Sequence, residues 1–335
     1  MKVGLVGLGY LGKIHLKLLV ELLKEGKISS IGIFDINEQE KLHLAKEYSV
    51  KSYNSLQELI LDNDIVDIVT PGETHFDIAQ LCIKHKRHIF IEKPATKTVE
   101  QSIELKQLAE DQNILIQVGH VERFNPAFVA TQKFFDQPIF IEVHRLALYN
   151  PRGTDVSVTL DLMVHDLDLI LNINPYKVQQ IYANGIEIVS PTTDIANVRL
   201  EFENGSVANI TTSRLSLKNM RKFRVFQKKS YISIDLLDKK SEIVHIKEVD
   251  NTTPEDALIL SPGNGIPDKE IVIEKPEILP INAIKEELQS FVNSIQLGKK
   301  PIVTIDDAIQ VIDLAYKIED IIYKNKLSVL SSNTH

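Results

Sequence analysis

Three glycines in the run Gly7-Leu8-Gly9-Tyr10-Leu11-Gly12 stand between an apolar stretch and an amphipathic one. That spacing suits a phosphate-binding turn. Gly7 permits a tight bend, Gly9 lets the backbone approach a pyrophosphate, and Gly12 lets the following helix pack closely on the strand before it. A helix opening at Tyr10 would aim its N–H groups and the positive end of its dipole at the phosphates. Asp35 stands 23 residues beyond Gly12, at the end of the next apolar run. A carboxylate there accepts hydrogen bonds from both ribose hydroxyls and repels an extra phosphate, which favours NAD over NADP. A turn or cap role before Asn37 is compatible with the same residue.

Short apolar runs carry these residues. Val3–Val6, Ser30–Phe34, Ile65–Val69, His88–Ile91 and Ile114–Val118 are β-branched and apolar on both parities, as in parallel strands covered on both faces. Between them, Leu11, Ile14, Leu18 and Leu22 repeat at helical spacing, and Ile78, Leu81 and Cys82 do so after Thr74, a candidate N-cap. Residues 1–120 therefore read as an α/β dinucleotide-binding domain of the Rossmann type, a doubly wound parallel sheet. From about Ile139 the pattern becomes alternation. The apolar residues of Val198–Glu203 fall on one parity, and Asn204-Gly205 predicts a two-residue hairpin turn. One helix interrupts this half, with an apolar stripe through Leu160, Met163, Val164, Leu167, Ile170 and Leu171. Ala283–Leu297 and Ile305–Ile322 are again amphipathic, with Gly298 and Thr304 as cap candidates, and residues 250–270 read as a surface excursion. Residues 121–335 are thus expected to form an α+β domain built on a large, mainly antiparallel open sheet.

The 335 residues suffice for two such domains. Hydrophobic residues make up 43% and charged residues 25%, and no stretch approaches the roughly 20 apolar residues that span a bilayer. With 38 basic and 46 acidic residues the net charge is −8, which argues against a nucleic-acid partner. Cys82 is the only cysteine, so no disulfide can form within the chain. The opening MKVGLVGLGYLG lacks the features of a signal peptide, so a cytoplasmic protein is expected. Seven of the eight arginines lie between positions 123 and 224. Between Glu203 and Asp235 there is no acidic residue, yet Arg214, Lys218, Arg221, Lys222, Arg224, Lys228 and Lys229 all fall there. Such a block is either balanced by acids from elsewhere or binds an anion.

Glu92-Lys93-Pro94, together with Thr70-Pro71, His75 and the glycine motif, resembles the Gfo/Idh/MocA family of sugar oxidoreductases. The resemblance runs the whole length. Gly119-His120-Val121-Glu122-Arg123-Phe124-Asn125-Pro126 is similar to the family's crossing into its second domain, and Asp161-Leu162-Met163-Val164-His165-Asp166-Leu167-Asp168 to its catalytic helix. Glu287–Phe291 and Asp307-Ala308 match in style. Met163 stands where many members carry glycine, a departure that tells against the usual polyol and monosaccharide substrates. The motif style is closer to the nucleotide-sugar branch than to the inositol branch.

The resemblance implies a hydride exchanged between a nicotinamide and a secondary hydroxyl. That chemistry needs a base for the hydroxyl proton and a donor for the developing alkoxide. Asp161 and His165, four residues apart, share one helix face. His165 suits proton transfer near neutrality, Lys93 would stabilise the reacting oxygen, and Asp161 would orient the sugar or the His165 ring. Lys93 as the base would need burial to lower its pKa from about 10.4. The implied cofactor-binding residues are Gly7, Gly9, Tyr10, Leu11, Gly12, Asp35, Thr70, Pro71, His75, Glu92 and Lys93. The implied substrate-binding residues are Lys93, Arg123, Asn125, Arg152, Asp161 and His165, with Arg123, Arg145 or Arg152 placed to contact a diphosphate. Asp168 would bind substrate or pair with a basic neighbour. No role falls to His15, His43, His85, His88 or His245, which lie in helix and strand patterns without evident partners. No metal is expected, and a homodimer or homotetramer through the outer sheet face is. The substrate these features favour is a nucleotide-linked amino sugar such as UDP-N-acetylglucosamine. The competing readings are a sensor that binds dinucleotide and sugar without turnover, and a reductase of a non-sugar small molecule. The full set of Lys93, Asp161 and His165 favours the enzyme.

Overall fold

The computed structural model describes residues 1–151 and 153–332. Its chain divides into two compact units, residues 1–124 with 281–313, and residues 125–280 with 314 onward.

Six parallel strands form the sheet of the first unit: β1 (Lys2–Val6), β2 (Ser30–Phe34), β3 (Lys51–Ser52), β4 (Ile65–Ile68), β5 (His88–Glu92) and β6 (Ile116–Gly119). Their order, β3-β2-β1-β4-β5-β6, is that of a doubly wound Rossmann sheet. The connecting helices are α1 (Tyr10–Lys24), α2 (Glu38–Tyr48), α3 (Leu56–Asp62), α4 (His75–Lys84) and α5 (Val99–Asp111). Because all six strands run the same way, the loops after β1, β2, β4 and β5 emerge at one edge of the sheet. That edge gathers Gly7, Asp35, Thr70 and Lys93, residues far apart in sequence.

The second unit begins with the short helix α6 (Pro126–Val129) and strand β7 (Phe140–Leu146), followed by a π-helical turn, Thr159–Met163, and α7 (Val164–Ile173). Then come β8 (Val178–Ile186), β9 (Ile195–Phe202), β10 (Val207–Ser213), β11 (Met220–Phe226), β12 (Ser230–Asp235), β13 (Lys240–Glu248), β14 (Leu258–Leu260) and β15 (Lys269–Glu274). They pair in the order β14-β15-β13-β12-β11-β7-β10-β9-β8, antiparallel except for β7 with β10. Alternate residues face the interior, as Ile141 and Val143, Val198 and Leu200, and Phe223 and Val225 show. The chain closes with α8 (Ala283–Gln296) and α9 (Ile305–Ser332). No described helix is long and apolar enough to cross a membrane.

Several expectations need correction. Residues 281–313, assigned from sequence to the second domain, group with the first unit. Leu288, Phe291 and Val292 of α8 join the core of Leu16, Leu19 and Leu22, while Val303, Ile305 and Ala308 enter the core on the other face of the sheet. The β9–β10 turn has three residues, not two. Phe202 N–H bonds to Ser206 O, and Gly205 sits at φ +80° behind a turn through Glu203 and Asn204. The 250–270 excursion contains a strand, β14, and α9 runs ten residues beyond the predicted Ile322. Thr74 precedes α4, but its hydroxyl lies 2.9 Å from Pro71 O and 2.7 Å from Thr70 Oγ1 and caps nothing. At α9, Thr304 and Asp307 form the reciprocal cap: Thr304 N–H donates to Asp307 Oδ2 (2.8 Å), and Asp307 N–H to Thr304 Oγ1 (3.2 Å).

Candidate active site

The site residues fall in two sets, one in each unit. In the first unit the turn after β1 has the shape its glycines require. Gly7 has φ +96°, and a Cβ there would lie 2.6 Å from Val69 O; one at Gly12 would lie 2.0 Å from Gly7 O. Gly9 differs. A Cβ on it would meet no protein atom within 4 Å, so its missing side chain leaves open space in front of the N-terminus of α1, with no acidic residue in that first turn. This is the cradle a diphosphate needs, and the residues present fit a dinucleotide. Tyr10 and the partly buried Leu11 open α1, with Tyr10 79% exposed.

Asp35 serves the loop directly. Oδ2 accepts the N–H of Leu8 (2.6 Å) and Oδ1 that of Asn37 (2.7 Å), so the carboxylate ties the glycine turn to the end of β2 and the start of α2. Each oxygen keeps a second lone pair, and the residue is half-exposed. Ile36, 96% exposed beside it, offers no charge to a 2′-phosphate.

After β4, Thr70 and Pro71 are held by His75. Its buried ring lies 2.8 Å from both Thr70 O and Pro94 O, joining this loop to the segment after Lys93. Its two nitrogens are thus occupied by backbone. Lys93 is half-buried at the end of β5 and has polar partners of its own. The carboxylate of Glu92 faces inward, accepting Lys93 N–H (3.2 Å) and lying 3.3 Å from His15 Nε2. Arg123 is buried, with Nη2 3.6 Å from Asp307 Oδ1.

His15 overturns its assignment as a residue without partners. Nδ1 is 3.0 Å from Asp67 Oδ2, and all of this is buried. Burial alone would push the His15 imidazolium down, but Asp67 and then Glu92 outweigh it and its pKa is pushed up to about 10. His88 also has a partner, accepting Leu115 N–H, and His245 lies 3.2 Å from Glu274. His43 approaches Glu47 at 3.8 Å, and the His85 N–H caps the end of α4.

In the second unit Asp161 lies in the π turn and His165 in the first turn of α7, both half-buried. Met163 is fully buried, so its side chain belongs to the core and does not narrow a substrate space. That removes its bearing on polyols. Asp168 is also fully buried and is not a surface group for substrate.

Arg145, expected to meet a diphosphate, is committed elsewhere. Its Nε and Nη2 donate to Asp166 Oδ2 (2.6 Å) and Oδ1 (2.9 Å), a buried two-pronged pair that ties α7 to β7. Asn125 is likewise structural: Oδ1 caps α6 at Ala127 N–H, and Nδ2 donates to Leu236 O. Arg152 lies outside the described residues. The basic block is partly neutralised at home. Arg214 faces Asp194 and donates to Gly153 O and Val156 O, Lys222 pairs with Asp235, and Arg224 with Glu142. Lys218, Arg221, Lys228 and Lys229 are exposed.

A doubly wound sheet with an open phosphate cradle defines the first unit as a dinucleotide-binding Rossmann domain, which a large mostly antiparallel sheet follows. Residues 1–120 match the oxidoreductase family with an NAD-binding Rossmann fold, and residues 142–233 match the GFO/IDH/MocA C-terminal domain. The chain belongs to the Gfo/Idh/MocA family. It is 32% identical over 297 residues to UDP-N-acetylglucosamine 3-dehydrogenase of Acidithiobacillus ferrooxidans, covering 88% of each chain. A solved structure of that enzyme superposes with TM-score 0.85 at 29% identity, covering 96% of this chain and 97% of the other. Myo-inositol 2-dehydrogenase of Thermotoga maritima is 23% identical over 335 residues, covering 94% of each chain.

Proposed function

We propose that the protein is an NAD-dependent dehydrogenase of a nucleotide-linked amino sugar such as UDP-N-acetylglucosamine, acting on a ring hydroxyl. The observation that carries this reading is the 32% identity to a dehydrogenase of that sugar nucleotide across 88% of both chains. The preference for NAD rests on Asp35 and on the uncharged Ile36 beside it. A bound nicotinamide supplies the hydride acceptor. The chain's own residues do the rest: His165 takes the hydroxyl proton, Lys93 hydrogen-bonds the oxygen as negative charge develops, and Asp161 orients the sugar or the His165 ring. An exposed cation such as Lys218 remains available to an anionic substrate, but the basic block as a whole no longer argues for one.

The test is a panel of UDP-N-acetylglucosamine, free N-acetylglucosamine and myo-inositol with NAD, followed by nicotinamide absorbance. The sugar nucleotide should be far the best substrate. Equal use of free and conjugated sugar, or efficient oxidation of inositol, would reject the nucleotide-sugar reading and leave the dehydrogenase standing. We further propose a cytoplasmic homodimer or homotetramer formed through the outer sheet face. There Phe226 packs against Phe140 (5.6 Å between ring centres) and Tyr231 (4.7 Å) while staying 38% exposed. A monomer in light scattering at micromolar concentration would contradict it.

A further inference from the structure

Behind Lys93 lies a buried charge network that the proposed reaction does not use. His15 comes from α1, Asp67 from the middle of β4 and Glu92 from the end of β5. The ring presents Nδ1 to Asp67 Oδ2 at 3.0 Å and Nε2 to Glu92 Oε1 at 3.3 Å. Nε2 stands at ion-pair distance from Glu92 without a hydrogen bond to it; a neutral ring protonated at Nδ1 would turn its Nε2 lone pair toward that carboxylate, whereas the doubly protonated ring meets both acids with positive charge. Phe90 meets the ring edge-on at 5.8 Å between centres, which fixes its plane. On the far side, Glu92 is opposite Gly119 in the parallel register, and a Cβ there would lie 2.7 Å from the carboxylate. Gly119 thus leaves the space in which that carboxylate sits. Its second oxygen receives the N–H of Lys93 at 3.2 Å.

We propose that His15 is a positioning residue: as a cation held between Asp67 and Glu92, it fixes the end of β5, and Lys93 with it, relative to the phosphate-binding helix. This rests on the reading that Lys93 acts on the reacting hydroxyl. Asp67 and Glu92 are the titratable groups that face the ring: Asp67 and then Glu92 raise the His15 pKa against the effect of burial, while burial also raises that of Asp67.

The experiment compares His15→Gln, Asp67→Asn, Lys93→Met and the His15→Gln/Lys93→Met double variant. Readouts are kcat, KM for NAD, NADH affinity by fluorescence, and thermal midpoint. A misplaced lysine should cost about a hundredfold in kcat, while NADH affinity stays close to wild type and the protein stays folded. Asp67→Asn should act in the same direction. In the Lys93→Met background His15→Gln should lower residual turnover no further, because its effect passes through Lys93. Normal kcat in folded His15→Gln, or a full additive loss in the double variant, would overturn the inference while an inactive Lys93→Met left the reading of Lys93 intact. An active Lys93→Met would instead overturn that reading, and with it the positioning role. Should the His15 variant not fold, the wild-type ring decides: labelled with ¹³C at Cε1, its NMR signal should stay at the imidazolium position between about pH 6 and 9. A ring titrating near 6.5 would overturn the clamp whatever Lys93 does.

Discussion

Gly9→Ala should separate binding from folding. The new methyl meets no protein atom within 4 Å, and Gly9 has φ −66° and ψ −166°, extended backbone open to alanine. Its only folding cost is a poorer helix cap, about 1 kcal/mol or less. With dinucleotide present the methyl would occupy the space of a phosphate oxygen. Losing one charge-assisted hydrogen bond costs roughly 1.5–3 kcal/mol, so Kd for NADH should rise about 10- to 100-fold at 1.4 kcal/mol per decade. Gly7→Ala should do the reverse to stability. At φ +96° an L residue is strained by roughly 1–2 kcal/mol, and its Cβ would press on Val69 O at 2.6 Å, so the thermal midpoint should fall by several degrees. NADH fluorescence titration and thermal unfolding on the same samples read both effects. A Gly9→Ala protein that binds NADH as tightly as wild type would refute the placement of the diphosphate. One that unfolds as readily as Gly7→Ala would refute the claim that the space is free.

Asp35→Ala should relax the preference for NAD and, by stranding the N–H of the buried Leu8, cost about 1–3 kcal/mol of stability; wild-type protein preferring NADP would sink the first part. Lys93→Met and His165→Ala should each lower turnover by ~10²–10⁴ with little change in NADH affinity, and near-normal turnover in either would dismiss that residue. Arg145→Met should cost about 3–5 kcal/mol in urea unfolding, because it removes both charge-assisted bonds that Arg145 gives the buried Asp166 carboxylate, whereas Lys228→Gln should stay within about 0.5 kcal/mol. The pKa of His15 is raised in the folded state above its unfolded value of about 6.5. Its contribution is therefore complete below that value and lost as pH rises through about 10. Thermal midpoints from pH 8 to 10.5 should fall more steeply in wild type than in His15→Gln, and parallel curves would refute the assignment.

What was legible in the sequence is what depends on local pattern. Runs apolar on both parities marked the five main strands of the Rossmann sheet, and GxGxxG marked the turn after β1, where Gly7 and Gly12 are required by the protein's own backbone and Gly9 leaves space for a phosphate. Periodicity also placed α7, α8 and the start of α9. The misses share a cause: each depends on a partner far away in the chain. Arg145 looked free for phosphate because Asp166, 21 residues on, lies on another element. His15 looked partnerless because Asp67 and Glu92 reach it only once β4 and β5 lie beside β1. The return of residues 281–313 to the first unit could not be read from α8, since an apolar stripe does not name the surface it covers. One signal was available for the buried pairs: an ionisable residue inside an otherwise apolar strand, as Asp67 is in Ile65–Ile68, asks for a buried partner of opposite charge.

The same arrangement recurs in both units, and on the roles proposed for Lys93 and His165 it accounts for how each half-buried side chain is aimed. Lys93 and His165 each adjoin an acid that is anchored inward, Glu92 on the His15 side and Asp166 on Arg145. At the end of a strand, neighbouring side chains point to opposite faces, so holding Glu92 against His15 and Gly119 turns Lys93 away from them. On a helix, successive residues differ by about 100°, so a two-pronged bond from Arg145 to Asp166 sets the rotation of α7 and thereby the direction of His165. On the roles proposed for Lys93 and His165, anchoring the neighbour fixes the backbone beneath each side chain by charges that cost several kcal/mol each to strand. It follows that conservative changes at the anchors, Glu92→Gln or Asp166→Asn, should disturb turnover more than their modest change in shape implies, because each removes the charge that pins the residue beside it.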